Sequence, residues 1–160
     1  MLAGILIIMD DRYNVGDYVR INDFTGEVVM LGLQSTKVKD ANQNVFTINN
    51  SNITTVINYS NNDSVLFIDI PVSYNTDIEK LEKVLKSIEK NVLKIDNVVG
   101  EYTLLGVDSF NSSDITYKIS VKTKPFKYFN VKREINKLIK ITFDKEGIEI
   151  PFNQVDVHMK

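Results

Sequence analysis

Ile115-Thr116-Tyr117-Lys118-Ile119-Ser120-Val121-Lys122 alternates apolar and polar side chains without a break. Successive side chains of a strand point to opposite faces, so Ile115, Tyr117, Ile119 and Val121 share one face and Thr116, Lys118, Ser120 and Lys122 the other. The pattern predicts a sheet with one dry face and one wet face. A dry face needs cover, and the flanking sequence supplies two helices for it. Ile78, Leu81, Leu85, Ile88 and Val92 recur at steps of three and four, behind a Thr76-Asp77-Ile78-Glu79 capping box in which Thr76 is the expected N-cap. Tyr128, Val131, Ile135, Leu138 and Thr142 mark the apolar side of the second helix, and Gly147 stands where a left-handed C-cap would end it. Val65 to Val72, ended by Pro71 and its neighbours, and Tyr102 to Val107 read as further strands, and Val155-Asp156-Val157 as the last. The order β-α-β-β-α-β predicts a ferredoxin-like α/β sandwich over residues 64–160.

Upstream the rhythm changes to short strands separated by polar turns. Val15 to Ile21 ends at Asn22-Asp23, Gly26 to Leu33 and Gln34 to Lys39 follow, and Asp40-Ala41-Asn42-Gln43-Asn44 is a turn cluster before Val45 to Ile48. Asn49-Asn50-Ser51 forms the next turn and Val56 to Tyr59 the fifth strand. Gly32 inside an apolar run predicts the bend or bulge by which a small sheet curls. Residues 13–60 are therefore expected to form a small SH3/Sm-like β-barrel, and Ser60 to Ser64 the boundary between two domains of an α+β protein. About fifty residues bury little apolar surface alone, so the barrel is expected to lean on neighbours.

Composition excludes several chemistries. The 160 residues include no cysteine and a single histidine, His158, so disulfides, thiolate nucleophiles and multi-histidine metal sites are not expected. The glycines are too widely spaced for a phosphate-cradling loop, and no enzymatic constellation emerges; neither a cofactor nor a metal is expected. A net charge of −2 with dispersed lysines gives no reason to expect a nucleic-acid partner. Leu2 to Met9 is apolar but falls short of the ~20 residues a membrane-crossing helix needs. Asp10-Asp11 beyond it reads as solvated charge ending an apolar segment.

Three spaced motifs in the first sixty residues, Gly16-Asp17-Tyr18-Val19, Gly26-Glu27-Val28 and Ile48-Asn49-Asn50-Ser51 with Asn58-Tyr59-Ser60, resemble the β-domain of the small mechanosensitive channel (MscS) family. The resemblance continues at Gly147-Ile148-Glu149-Ile150-Pro151-Phe152. It implies that Gly16, Asp17, Gly26, Asn50, Asn58, Ser60, Gly147 and Pro151 are family-motif positions. It further implies that residues 1–12, with Leu2, Ala3, Gly4, Ile5 and Ile8, end a pore-lining helix, and that Val155 and Val157 lie in an axial strand. The implied assembly is a homo-oligomer of seven, joined to the membrane through helices upstream of these residues, with this portion on the cytoplasmic side of the cell membrane. The implied function is release of ions and small solutes on hypo-osmotic shock. The sequence departs from the family at Asn49 and Asn153, where proline is common.

Two other readings share the fold: a soluble oligomeric scaffold and an RNA-binding module in which sheet aromatics stack on bases. Tyr117 is the candidate for stacking, but its alternation places it with Ile115 and Ile119 on the dry face. The wet face carries Lys118, Lys122 and Lys124 with no aromatic expected among them.

Overall fold

The structure is a computed structural model that describes residues 12–125 and 127–152. The chain divides into two compact units, Met1–Asn62 and Asp63–Lys160.

The first unit holds β1 (Tyr18–Ile21), β2 (Phe24–Leu31), β3 (Ser35–Lys39), β4 (Val45–Asn49) and β5 (Val56–Asn58), with a 3₁₀ turn over Asn50–Asn52. They form one antiparallel sheet in the order β4-β3-β2-β1-β5, the architecture of the expected small barrel. Asn22 and Asp23 make the two-residue turn between β1 and β2; Asn22 takes a φ of 51°, the left-handed value that matches strand twist in such hairpins. β1 starts later than the expected Val15. Asp17 N–H donates to the Asn14 carbonyl at 3.1 Å and Gly16 sits at φ 96°, so residues 14–17 are a turn. The bulge is also displaced from the expected Gly32. It falls between Val28 and Met30, whereas Gly32 lies in the loop after β2, where its N–H donates to the carbonyl of Ser35 at the start of β3. Tyr13, Val19, Ile21, Val28, Val38 and Ile48 form the buried core, with Leu31, Ile53 and Val56 packed against it.

The second unit holds β6 (Ser64–Val72), α1 (Ile78–Ser87), α2 (Glu89–Val92), β7 (Val98–Phe110), β8 (Ile115–Thr123) and α3 (Tyr128–Glu146). β8 lies at the centre of the order β6-β8-β7, antiparallel to both neighbours. Ile115, Tyr117, Ile119 and Val121 are buried against Leu66, Ile68 and Ile70 of β6 and the helices, so the dry face is where the alternation puts it. Val155-Asp156-Val157, the expected last strand, lies outside the described residues.

Three expectations need correction. The N-cap of α1 is Asp77, not Thr76: the Asp77 carboxylate accepts from the N–H groups of Glu79 and Lys80, and its charge suits the positive end of the helix better than a hydroxyl does. The fully buried row of α3 is Val131, Ile135, Ile139 and Phe143; the expected Tyr128 and Leu138 pack half-buried against the core beside it, and the large Phe143 ring was missing from the expected side. β6 ends at Val72 as expected, with Pro71 its penultimate residue, and among the described residues it borders β8. Finally, the wet face does carry an aromatic. Phe67 stands opposite Ser120 and is 56% exposed beside the lysines. Two of those lysines are matched by carboxylates: Lys118 Nζ lies 2.8 Å from Asp108 and 3.5 Å from Asp69, and Lys122 Nζ 3.0 Å from Glu101.

β7 is longer than expected and irregular, slipping register against β8 at four places. Glu101, within one of these slips, adopts φ 55° and still reaches Lys122.

Tyr117 donates to Glu82 Oε1 at 2.9 Å and Tyr102 to the Leu85 carbonyl at 2.9 Å. Burial pushes both phenols up; the Glu82 carboxylate adds to this for Tyr117, which reaches about 12. A raised phenol pKa means that the folded state retains its proton more strongly than the unfolded chain. The stability this confers is fully present below the ordinary tyrosine value of about 10 and is lost as pH rises further. Urea unfolding of the second unit should therefore show a midpoint that is flat up to about pH 9 and falls toward about pH 12, with a shallower fall in Tyr117→Phe.

Candidate functional site

Of the expected family-motif positions of the first unit, Gly16, Asp17, Asn58 and Ser60 gather where the chain approaches β1. Asp17 accepts hydrogen bonds from Asn14 N–H and from Asn58 Nδ2, each at 2.9 Å. Asn58 Nδ2 also reaches the Arg12 carbonyl at 3.3 Å, and Asn58 Oδ1 accepts from Ser60 N–H at 2.8 Å. Ser60 Oγ in turn accepts from Tyr18 N–H at 2.8 Å. Asp17, Asn58 and Ser60, far apart in sequence, thus form one network that joins the start of β1 to the end of β5. Gly16 N–H donates to the Val28 carbonyl and Val28 N–H to the Asp17 carbonyl, both at 2.8 Å. At φ 96° position 16 calls for glycine on backbone grounds alone, since a Cβ there would touch nothing. Gly26 has the opposite reason: a Cβ would stand 2.2 Å from the Lys39 carbonyl oxygen, where β3 crosses close to β2.

Asn50 belongs to a second, buried network. Its Oδ1 accepts from Thr36 Oγ1 at 2.9 Å, its Nδ2 donates to the Gly32 carbonyl at 2.8 Å, and its backbone N–H donates to the Gln34 carbonyl at 2.8 Å. Thr36 Oγ1 lies 3.1 Å from the Tyr13 hydroxyl. A hydroxyl has one proton, and that of Thr36 goes to Asn50, so Tyr13 is the donor of the pair. The chain runs Tyr13 O–H to Thr36, Thr36 O–H to Asn50, Asn50 N–H to Gly32. Tyr13 is 1% exposed, Thr36 0% and Asn50 3%. Burial raises the Tyr13 phenol above its usual range, against the Thr36 hydrogen bond and the Arg12 charge. Among the described residues no buried side-chain polar atom lacks a partner.

The remaining positions separate. In the second unit Gly147 caps α3 at φ 64°, ψ 36°, and Ile148 N–H closes the turn on the Phe143 carbonyl. Pro151 is half-buried beside Phe152, which is 82% exposed. Leu2, Ala3, Gly4, Ile5, Ile8, Val155 and Val157 lie outside the described residues, as do Asp10, Asp11 and His158. Asn49, where the family commonly has proline, holds φ −65°, the value a proline ring imposes. Tyr13 and Thr36 are the residues the sequence reading missed. Thr36 had a signal, since it shares the strand face of Val38; Tyr13 had none.

Comparison with known proteins identifies the family of the chain. The family model for the mechanosensitive ion channel β-domain matches residues 1–61, and that for the C-terminal region of the mechanosensitive ion channel MscS matches residues 67–150. The chain belongs to the MscS family of mechanosensitive ion channels. It is 30% identical over 98% of its length to a small-conductance mechanosensitive channel of Caldanaerobacter subterraneus and 31% identical over 99% to one of Helicobacter pylori. It spans 56% and 58% of those relatives' lengths. Its fold superposes on the closed-state crystal structure of Helicobacter pylori MscS with a TM-score of 0.86 at 27% identity, covering 99% of this chain and 64% of that one. The family is one of channels, not of enzymes. Among the described residues no helix is long and apolar enough to cross a membrane, and no cluster of three or more metal-ligating side chains occurs.

The direction of the buried chain sets unequal costs for its members. Thr36→Val strands the Tyr13 hydroxyl and Asn50 Oδ1 together and should cost about 2–4 kcal/mol, whereas Tyr13→Phe leaves the Thr36 proton satisfied and should cost about 0.5–1.5 kcal/mol. In the Thr36→Val background Tyr13→Phe should turn neutral or stabilising, because the hydroxyl it removes no longer has an acceptor. Urea unfolding of the four proteins in this cycle measures all three values.

Proposed function

We propose that this chain is the cytoplasmic part of a mechanosensitive ion channel that releases ions and small solutes on hypo-osmotic shock. The observation that carries the reading is the unbroken order of family matches, β-domain and then MscS C-terminal region, on a fold that follows the Helicobacter pylori channel over 99% of the chain. Residues 13–60 form the β-domain and 64–160 the α/β domain. Membrane-spanning helices outside the 160 residues supply the water-filled path, which must cross hydrocarbon with every backbone group satisfied. Residues 1–12, with Leu2, Ala3, Gly4, Ile5 and Ile8, complete the pore-lining helix. The subunits form a heptamer in the cell membrane, with Val155 and Val157 near its axis.

Self-association is supported by the sheet of the first unit. β4 and β5 each border one strand among the described residues, and they expose Val45 (54%) and Ile57 (42%). Unpaired edges with apolar side chains suit subunit contact. The matched lysines of the wet face support the view that nucleic acid is not a partner, since Asp69, Asp108 and Glu101 already offset Lys118 and Lys122.

Patch recording tests the function. The 160 residues alone should give no tension-activated current, whereas a chimera in which they replace the matched part of the Helicobacter pylori channel should open under suction. A chimera that inserts but stays silent at every tension short of rupture would overturn the channel reading. Multi-angle light scattering on the chain itself should show oligomers; a monomer at every concentration would count against assembly through these residues.

A further inference from the structure

We infer that Tyr13 is a positioning residue that couples the chain ahead of Arg12 to the far side of the β-domain, a role that rests on the channel reading only where gating is concerned. Three observations place it there. Its ring is one of the six buried apolar groups of the barrel core, so the chain passes from residue 12 directly into the interior. Its hydroxyl donates to Thr36, near the start of β3, and through Thr36 to Asn50 at the head of the 3₁₀ turn. Meanwhile its neighbour Arg12 is held by its carbonyl to Asn58, at the end of β5. Consecutive residues are thus bound to β5 and β3, which are separated in the sheet by β1 and β2.

This arrangement decides where a pull goes. Without the Tyr13 side chain, displacement of the chain ahead of Arg12 would act on β1 through the turn at residues 14–17 and would peel that turn away from Val28. With it, the load is divided between β5 and β3 before it reaches the turn. The tether is directional, since a hydrogen bond weakens steeply off its axis whereas apolar contact does not. Its buried setting also keeps water from substituting for the broken bond. Tyr13 therefore makes the β-domain respond to motion of that chain as one body.

Amide hydrogen exchange on the 160-residue chain tests the tether without any current. Tyr13→Phe should speed exchange at Gly16 and Asp17 about fivefold, the population change that corresponds to one net hydrogen bond, over and above whatever acceleration the global loss of stability brings to β1 to β4. Thr36→Val releases the same tether from the other end and should speed the same two amides at least as much. Uniform acceleration over residues 13–60 in Tyr13→Phe, or none at Gly16 and Asp17, would overturn the inference in favour of plain core packing. In the chimera, Tyr13→Phe should shift the half-activating pressure with single-channel conductance unchanged. An unshifted pressure beside faster local exchange would overturn the role in gating. A silent unsubstituted chimera would overturn the channel reading instead, and the exchange result alone would then decide the tether.

Discussion

A tyrosine hydroxyl sealed from water has to give its proton to something, and in the β-domain the recipient is Thr36. That requirement propagates. Thr36 passes its own proton to Asn50, Asn50 passes one to the Gly32 carbonyl, and three loops and strands are thereby fixed to a single pattern. Neither apolar contact nor this chain tolerates a sliding β3. A one-residue slip would turn Val38 out of the core, and in one direction would bring Lys37 inward and bury a charge. Among the described residues six buried apolar side chains stand at its centre, and the β-domain takes its register from the hydrogen bonds together with that pattern.

The α/β domain is governed differently. β8 is flanked on both sides, and its alternation decides which face of the whole sheet receives α1 and α3. Here register comes from apolar patterning, and polar groups act at the margins: Asp77 at the head of α1, Gly147 at the foot of α3, Tyr117 reaching out of the core to Glu82. The same side chain that stacking on a base would require is committed to the interior.

What the sequence disclosed follows from how local each cause is. The period of two in residues 115–122 and the glycine at 147 act within a few positions, and both are found where they were read. Thr76 and Asp77 are adjacent and both suited to capping, so the choice fell to the carboxylate. Leu138 with Thr142 and Ile139 with Phe143 both fit the spacing from Ile135, and the fully buried pair is the one that carries the large ring. The slips of β7 have no signature of that kind, since they arise from matching β8 across the sheet. Asp17, Asn58 and Ser60 were legible only as a resemblance, because the bond that explains them spans 41 positions. Tyr13 was least legible of all: an aromatic ahead of a turn says nothing of a hydroxyl partner 23 residues on.

The irregular strand has one more effect. β7 keeps step with β8 for no more than two consecutive residues before slipping. A fibril grows by copying, each arriving strand finding donors and acceptors at the even spacing of the one before. β7 offers no such rhythm, so a stray chain that meets this flank has no template to copy. Wherever copies of this chain meet, that uneven register is a safeguard at the β7 flank, because it denies an arriving strand the even spacing it would need to pair.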